Sequence, residues 1–266
     1  TQIHSVSGVL PEGEALVKIR PFRSPHHTSS AVSIVGGGTY PKPGEISLSH
    51  RGILFMDELP EFPRFVLEVL RQPLEDGVVN VSRASGAVCF PAKFIMVAAQ
   101  NPCPCGYLTD PDRPCTCSSS TIARYQKKIS GPLLDRIDLH IEVPRVEYSK
   151  LSNSELSEAS SVVRERVQKA REIQQKRFGN SKSGAKSKKK KIFCNSEMGS
   201  EEIGQYCTLD DSASLLIKNA VTQMHLSARV YHRILKIART IADLDDCELI
   251  SQKHVAEALQ YRVRER

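Results

Sequence analysis

The sequence lacks two features that would mark a membrane-spanning or exported protein. In its 266 residues, no apolar run approaches the roughly 20 residues that a helix needs to span a bilayer. Nothing at its amino end resembles a signal peptide, so the eight cysteines are not expected to form a disulfide framework. These absences predict a cytoplasmic protein with reduced thiols and no membrane partner.

A phosphate-binding motif is also absent. The pattern GxxxxGK followed by Ser or Thr, in which glycine-rich backbone and a lysine hold nucleotide phosphates, does not occur in the chain. Gly36 to Gly38 follow an apolar, strand-like run from Ala31 to Val35, but neither Lys-Ser nor Lys-Thr comes after them. The chain begins in mid-pattern with Thr1 instead of Met, so we expect it to be a fragment of a longer protein.

Acidic residues are missing from one strongly basic stretch, the Lys-rich loop (176–191). It holds eight Lys or Arg residues and no Asp or Glu, and without those eight charges the net charge of +7 would be −1. Its Gly, Ser and Lys content is typical of a disordered loop. Such a loop can contact DNA phosphates non-specifically, but a solvated insertion is the simpler explanation. Charge therefore does not decide the function.

The stretch around which the chain is organised is Ile53 to Glu58. Four apolar residues, Ile53 to Met56, are followed directly by Asp57 and Glu58. This pattern predicts a strand buried on both faces of a parallel sheet, with two carboxylates at the edge where such sheets bind ligands. Mg²⁺ on a nucleotide phosphate would explain the paired charges: Asp57 would orient the metal, and Glu58 would polarise the water that attacks the γ-phosphate. The structural alternative is an acidic helix N-terminus.

Helix and strand patterns follow the acidic pair. Apolar residues at helical spacing predict a helix over 64–76. Alternating residues around a Gly-containing turn predict a β-hairpin within 78–94, with Arg83 near its tip. A second apolar strand, Phe94 to Ala99, ends just before Asn101. These elements indicate an α/β domain.

The second half of the chain has a helical pattern. A third strand is predicted over Leu139–Val143, and beyond it apolar residues recur at helical spacing. Two of the helices are predicted to begin at the N-cap residues Ser227 and Ser251. We therefore predict an α/β core at 1–146 and a helical domain at 147–266.

Four of the eight cysteines form a cluster in the loop 103–117. Cys103, Cys105, Cys115 and Cys117 make two Cys-x-Cys pairs with nine residues between them. Four thiolates are a ligand set of structural zinc, although this spacing differs from the usual CxxC. Because free cysteine is generally buried, four thiols in a polar loop without a metal would be unusual. We predict a structural Zn²⁺ site, and four reduced surface thiols are the alternative.

Two adjacent histidines, His26 and His27, lie in a proline-containing segment that does not favour a helix. Adjacent side chains point in different directions in either regular structure, so a shared metal is not expected. A structural role or a polar contact is the preferred interpretation.

Six stretches together resemble one family. They are RPFRSPHH (20–27), GEISLSHRGILFMDELPEF (44–62), LRQPLEDG (70–77), QNPCPCG (100–106), KISGPLLDRIDLHIEVP (128–144) and LSARVYHRILKIARTIADL (226–244). The chain is similar to the ComM/YifB branch of the magnesium chelatase-like AAA+ ATPases over nearly its whole length, apart from the Lys-rich loop. The resemblance implies a hexameric ring ATPase with bound ATP and Mg²⁺, whose Walker A motif lies before Thr1. It also implies DNA branch migration or helicase activity in natural transformation.

The resemblance implies a fold and several catalytic roles. The fold would be an AAA+ P-loop-type parallel sheet that lacks its first strand and P-loop, followed by a helical lid. Asp57 and Glu58 would be the Walker B pair, and Asn101 would be sensor 1, an amide that positions the attacking water. Arg136 would be the arginine finger offered to a neighbouring subunit's nucleotide. Without the resemblance, an ion pair of Arg136 with Asp135 or Asp138 would be preferred.

Three further roles follow from the same resemblance. Arg229 would be sensor 2 on the lid, with Arg233 as the second choice. The hairpin within 78–94 would be the pre-sensor 1 insertion that ring translocases point into their pore, which makes Arg83 a candidate DNA contact. The fragment would be inactive as an ATPase on its own, because it lacks Walker A.

Other functions stay open at this point. A magnesium chelatase subunit shares the ATPase motifs, although the cysteine loop looks foreign to such subunits. An activator of the σ54 class shares the strand that ends in Asp-Glu, but the GAFTGA loop of that class is absent. A non-enzymatic zinc module that binds DNA through Arg83 and the Lys-rich loop is the third alternative.

Overall fold

The fold is given by a computed structural model, which describes residues 1–38, 40–83, 86–144, 158–179 and 192–262, without the side chains at 82–86. The chain divides into two compact units, Thr1–Ile137 and Asp138–Arg266. The division lies nine residues before the boundary expected at 146. The first four residues of the Lys-rich loop belong to a helix, and its other residues lie outside the described ranges.

The first unit consists of short strands and helices joined by turns. Its strands are β1 (Phe22–Arg23), β2 (Gly36–Gly37), β3 (Lys42–Pro43), β4 (Ile53–Met56), β5 (Val78–Arg83), β6 (Gly86–Pro91) and β7 (Ile95–Ala98). Its helices are α1 (Gln2–Val6), α2 (Ala31–Val35), α3 (Glu45–Leu48), α4 (Arg64–Val69), α5 (Arg71–Asp76), α6 (Ser119–Gln126) and α7 (Gly131–Leu134). β2 pairs with β3, and β5 pairs with β6 in an antiparallel hairpin.

Strand β4 is the centre of the sheet that carries the acidic pair. The sheet has the order β1-β4-β7, and both pairings are parallel. In register, Arg23 lies opposite Leu54 and Met56 lies opposite Ala98. The carboxyl ends of all three strands therefore meet at one edge, which confirms the predicted α/β fold with a parallel core.

The prediction that β4 is buried on both faces is wrong for this chain. Leu54 and Met56 are fully buried in the main apolar cluster, whereas Ile53 and Phe55 on the opposite face are only partly buried. The Phe55 ring stacks on the ring of Phe22 from β1, with 6.2 Å between their centroids. Side chains alternate between the two faces of a strand, so a continuous apolar run does not by itself require that both faces be covered.

Ala31 to Val35 form a helix, and the strand-like interpretation of this run is wrong. The Ser30 hydroxyl accepts a hydrogen bond from the Ser33 backbone N–H at 3.1 Å, which caps helix α2. Gly36 ends the helix with a φ of 103°. A five-residue apolar run fits either period, so here the cap and the terminating glycine decide the conformation.

The helix predicted over 64–76 is two helices, α4 and α5, which meet at Leu70. Pro73 has no backbone N–H and so cannot donate to the carbonyl group of Val69, which interrupts the helical hydrogen-bond series at that point. Gly77 ends α5 in the left-handed conformation with a φ of 69°, as the sequence predicted.

The third strand, predicted over Leu139–Val143, is not present in the described structure. This segment is extended coil in which the His140 N–H donates to the Tyr261 carbonyl group at 2.8 Å. Leu139, Ile141 and Val143 are exposed. A strand needs a neighbour that satisfies its backbone groups, and an apolar alternation without such a neighbour does not form one.

The second unit is helical. Its helices are α8 (Ser160–Gly179), α9 (Ser200–Tyr206), α10 (Asp211–Gln223), α11 (Ala228–Leu244) and α12 (Gln252–Gln260). The Ser227 side chain caps α11, as predicted, and α12 begins directly after Ser251. No helix within the described ranges is both long and apolar enough to cross a bilayer.

A buried ionic cluster joins three parts of the second unit. The Asp243 carboxylate, which is inaccessible to solvent, is bound by the guanidinium groups of Arg177 and Arg239. The Asn195 amide donates to the same carboxylate at 2.8 Å. The cluster thus ties α8 and the 3₁₀ turn Asn195–Glu197 to α11, and the buried carboxylate is paired within the core.

Candidate functional site

The acidic pair lies where the central strand β4 ends. Asp57 and Glu58 are both exposed, and the Asp57 carboxylate accepts a hydrogen bond from the Glu58 backbone N–H at 2.9 Å. Glu58 has a φ of 50°, a left-handed conformation that is uncommon for a residue other than Gly. The next residue, Leu59, donates its N–H to the Ala99 carbonyl group beyond β7 at 3.0 Å. The backbone of the pair is therefore held by the neighbouring strand.

Asn101 lies at the same edge of the sheet. It follows β7 by three residues, as Leu59 follows β4, and these strands pair in register with Met56 opposite Ala98. The Asn101 side chain is exposed. An exposed amide and two exposed carboxylates thus lie at the carboxyl edge of one parallel sheet, the edge where folds of this class bind ligands.

A fourth side chain at this edge comes from the segment that follows β1. The His27 Nδ1 atom lies 3.0 Å from a carboxylate oxygen of Glu58. Sequence reasoning gave His27 an unspecified polar contact and missed this partner. No signal in the sequence gave this partner. His27 and Glu58 each lie four residues beyond Arg23 and Leu54, and only the pairing of those two residues in the sheet brings the side chains together.

The four cysteines of the loop 103–117 lie together. Their sulfur atoms are all within 4.8 Å of one another. The Sγ atom of Cys103 is 3.3 Å from that of Cys105 and 3.7 Å from that of Cys115, and the Cys105–Cys115 distance is 3.5 Å. Tetrahedral zinc with Zn–S bonds of about 2.3 Å separates its sulfur ligands by about 3.8 Å. The donor set and its geometry therefore fit a zinc ion.

Local backbone geometry brings the sulfur atoms together and shifts the pKa of their thiols. Gly106 has a φ of 82°, and its N–H donates to the Cys103 carbonyl group at 3.0 Å, which closes a tight turn around the first pair. A hydrogen bond from the Tyr107 backbone is the main reason that the pKa of Cys105 is lowered to about 6. For Cys115, a hydrogen bond from the Cys117 backbone lowers the pKa, but burial and hydrogen bonds with the neighbouring thiols outweigh it and raise the pKa to about 12. The pKa shifts of the two thiols are therefore opposite, and the zinc assignment depends on the positions of the sulfur atoms.

The cysteine cluster is anchored to the first unit. Cys103 is fully buried, and the Gln126 side chain donates to the Pro102 carbonyl group at 3.3 Å. The outer part of the loop is closed by Arg113, which donates to the Tyr107 hydroxyl at 2.7 Å. The loop begins two residues after Asn101.

Arg136 has a different partner from those expected. Its guanidinium binds the Glu75 carboxylate and also donates to the Pro132 carbonyl group at 2.6 Å. Neither Asp135 nor Asp138 is its ion-pair partner in the described structure. The Arg136 side chain is only 14% exposed.

The two candidates for sensor 2, Arg229 and Arg233, lie on α11 in the second unit. Arg233 forms an ion pair with Asp138, with 2.9 Å between Nε and the carboxylate oxygen. Lys236, one turn farther along α11, donates to the Ser196 carbonyl group at 3.0 Å. Two basic side chains of this helix, Arg233 and Lys236, are thus engaged within the second unit.

Arg83 ends β5 at the tip of the β5–β6 hairpin, opposite Gly86. Its side chain lies outside the described part of the structure. The hairpin is anchored by Val79 and Val81, which are buried in the main apolar cluster, whereas Val88 and Cys89 on β6 are exposed.

Comparisons with known proteins agree on one family. The family model described as "Magnesium chelatase, subunit ChlI" matches residues 1–151. A second, described as "Magnesium chelatase, subunit ChlI C-terminal", matches residues 157–262. The two matches meet between the α/β part and the helical part of the chain.

Individual relatives extend this result. The chain is 48% identical to "Competence protein ComM" of Haemophilus influenzae over 92% of its own length and 45% of the relative. It is 42% identical to "Uncharacterized protein YifB" of Escherichia coli, over 93% of its own length and 46% of the relative. A "Magnesium-chelatase subunit ChlI" of Euglena gracilis is 26% identical over 63% of the chain and 42% of the relative. The chain thus spans about half the length of these ComM and YifB relatives.

Proposed function

Because the chain belongs to the magnesium chelatase-like family of AAA+ ATPases, we propose that it is part of a ring-forming, ATP-hydrolysing motor that acts on DNA. The observation that carries the ATPase part is the placement of Asp57 and Glu58 at the carboxyl end of the central parallel strand, with Asn101 at the same edge. The DNA part is supported by the name of the ComM relative, which is a competence protein.

Each residue at the sheet edge has a role in this proposal. Asp57 would hold Mg²⁺, which keeps most of its water ligands and needs only one or two carboxylates. Glu58 polarises the attacking water and accepts its proton, and Asn101 orients that water. Bound ATP supplies the phosphoryl group that is transferred to water.

The open edge of the sheet supports a missing strand and P-loop. Among the described strands, β7 pairs only with β4. Its residues Ile95 and Val97 are 62% and 42% exposed. In a longer protein, a preceding strand and its P-loop would cover this edge. Apolar residues on an unpaired edge are otherwise a liability for solubility.

The zinc site has a structural role in this proposal. Cys103, Cys105, Cys115 and Cys117 would hold the ion as a closed tetrahedral set. The ion would supply the folding energy of a loop that is too short and polar to form its own core. Ordering this loop would keep Asn101, two residues before it, in place.

Contacts with DNA are assigned to the β5–β6 hairpin. In a ring, its tip with Arg83 would face a central pore, where a cation contacts phosphates regardless of base sequence. The Lys-rich loop is a second candidate DNA contact. Assembly as a homo-hexamer would bring Arg136 to the nucleotide of a neighbouring subunit.

The full-length protein that contains this chain tests the proposal. Glu58→Gln should keep ATP binding and reduce hydrolysis by about 10²-fold or more, because an amide cannot accept the proton. Arg83→Glu should weaken stimulation by single-stranded DNA while leaving basal hydrolysis unchanged, and Lys253→Glu, an exposed change in the second unit, is its control. Hydrolysis that survives Glu58→Gln would refute the assignment of the acidic pair.

A second function, an ATPase subunit of a magnesium chelatase, is favoured by the description of the family model and by the Euglena gracilis relative. The two functions differ in what stimulates hydrolysis. Stimulation by a large porphyrin-binding partner, with no response to DNA, would favour the chelatase. Stimulation by DNA alone would favour the motor.

A further inference from the structure

We propose that His27 is a positioning residue that orients the Glu58 carboxylate for its work on the attacking water. The inference rests on the proposed function of Glu58 and adds a residue that the family comparison does not assign. Its starting point is the 3.0 Å distance between His27 Nδ1 and the Glu58 carboxylate.

The sheet register explains why these two residues meet. β1 and β4 run in parallel with Arg23 opposite Leu54, and four residues farther along each chain segment come His27 and Glu58. The distance in sequence is 31 residues, so no local pattern connects the two side chains. The contact exists because the sheet places the ends of both strands at one edge.

The imidazole of His27 is held on two sides. The His26 ring packs against it with 4.1 Å between centroids, and the Phe62 ring meets it edge-on at 6.3 Å. His26 itself is fixed, because its Nδ1 atom lies 2.8 Å from the Thr28 hydroxyl and its carbonyl group accepts from the Ser29 N–H at 2.9 Å. A side chain that is packed in this way can fix the orientation of its partner.

The chemistry of the contact defines which atoms remain for catalysis. An ionised carboxylate can only accept hydrogen bonds, so the contact is attractive when Nδ1 of His27 carries a proton. The contact at 3.0 Å is an ion pair that involves Oε2 of Glu58 and leaves Oε1 for the water. Glu58 is 54% exposed, and among the described residues His27 is the one ion-pair partner of its carboxylate. Without His27, the side chain would be free to rotate about an otherwise fixed backbone.

Steady-state kinetics of the full-length protein can test this role. His27→Ala should lower kcat for ATP hydrolysis by at least about tenfold, because a misplaced base reacts slowly. KM and the affinity for ATP should stay within about twofold, since the contact acts on the chemical step. His27→Asn should recover much of kcat, because its amide N–H occupies nearly the position of Nδ1. His26→Ala is the matched control, since it removes an adjacent imidazole that does not contact Glu58, and a smaller loss is expected.

Parallel measurements on Glu58→Gln distinguish a failure of the positioning role of His27 from a failure of the proposed function of Glu58. If Glu58→Gln abolishes hydrolysis but His27→Ala leaves kcat within twofold of the unaltered protein, the positioning role is refuted and the proposed function stands. If His26→Ala and His27→Asn lower kcat as much as His27→Ala, the histidines only pack and the inference is wrong. If Glu58→Gln hydrolyses ATP normally, both fail. Should His27→Ala not fold, the comparison of His27→Asn with His26→Ala decides.

Discussion

The guanidinium of Arg136 is bound to the carboxylate of Glu75 within the first unit of the chain. The Pro132 carbonyl group accepts a second hydrogen bond from it, and its Nε atom is buried without a hydrogen-bond partner within the described structure. A finger that reaches a neighbouring subunit must present its guanidinium to that subunit. Glu75 therefore holds the Arg136 guanidinium within its own subunit. In an assembled ring, Arg136 would have to reach the neighbouring nucleotide from this position or leave Glu75.

The first prediction separates a finger from a structural ion pair. In the full-length protein, Arg136→Ala should bind ATP and assemble but hydrolyse it on the order of 10³-fold more slowly. Glu75→Gln should leave hydrolysis within a few-fold of normal, because it removes the anchor and keeps the cation. Turnover assays and ATP binding check both variants. Equal losses of thermal stability with normal hydrolysis in both would show that Arg136 is only the partner of Glu75.

Mixing variants provides an independent control for Arg136. Subunits with Arg136→Ala and subunits with Glu58→Gln should be nearly inactive alone. In mixed rings, some interfaces would join an intact Glu58 to an intact Arg136, so hydrolysis should rise above that of either variant. An absence of complementation, with mixed assembly demonstrated, would contradict a role in trans.

The second prediction concerns the metal. Metal analysis of protein prepared without chelators should find one zinc per chain, and a double change of Cys103 and Cys115 to Ser should remove it, because two of four thiolates are lost. Cys247→Ser is the matched control, since this thiol belongs to the second unit and lies outside the cluster. A folded, unaltered protein without zinc would rule out the structural metal.

The third prediction distinguishes Arg229 from Arg233. Arg233 is bound to Asp138, so its loss should mainly lower thermal stability, as Asp138→Asn should. Arg229→Ala should instead weaken ATP binding about tenfold in the full-length protein, the factor expected for one charge-assisted hydrogen bond to phosphate. Nucleotide titration of the two variants checks this assignment. A larger loss of affinity from Arg233→Ala would reverse it.

The fourth prediction concerns the buried ionic cluster of the second unit. Asp243→Ala would leave the guanidinium groups of Arg177 and Arg239 without their shared anion. Its cost should be about 3–5 kcal/mol of unfolding free energy, which is typical when one partner of a buried pair is removed. Denaturant unfolding measures it, and Asp246→Asn at an exposed site with a φ of 55° is the control. A loss below about 1 kcal/mol would mean that water reaches the cluster.

The fifth prediction concerns the chain of 266 residues by itself. It should hydrolyse ATP negligibly, because it lacks the glycine-rich backbone and the lysine that hold the phosphates. A malachite-green phosphate assay on the purified chain, with Glu58→Gln as its background control, measures this. Robust turnover that depends on Glu58 would show that the phosphates are held in some other way.

Local signals in the sequence predicted the elements and the candidate residues. Four apolar residues before Asp57 predicted strand β4, Ser227 predicted the start of α11, and the spacing of the cysteines predicted one cluster. Each of these depends on groups close together along the chain: a side-chain period, a cap that satisfies free N–H groups, or thiols on one short loop.

The partners of those residues were decided by the tertiary structure. His27 meets Glu58 across 31 residues, and Arg136 meets Glu75 across 61, because strand register and helix packing bring distant segments together. The same dependence on neighbours explains why the strand predicted over Leu139–Val143 is wrong. The segment has an alternating pattern but no adjacent strand in the described structure. Sequence therefore determined which groups could do chemistry. Only strand pairing and helix packing, which no local pattern encodes, decided which of them touch.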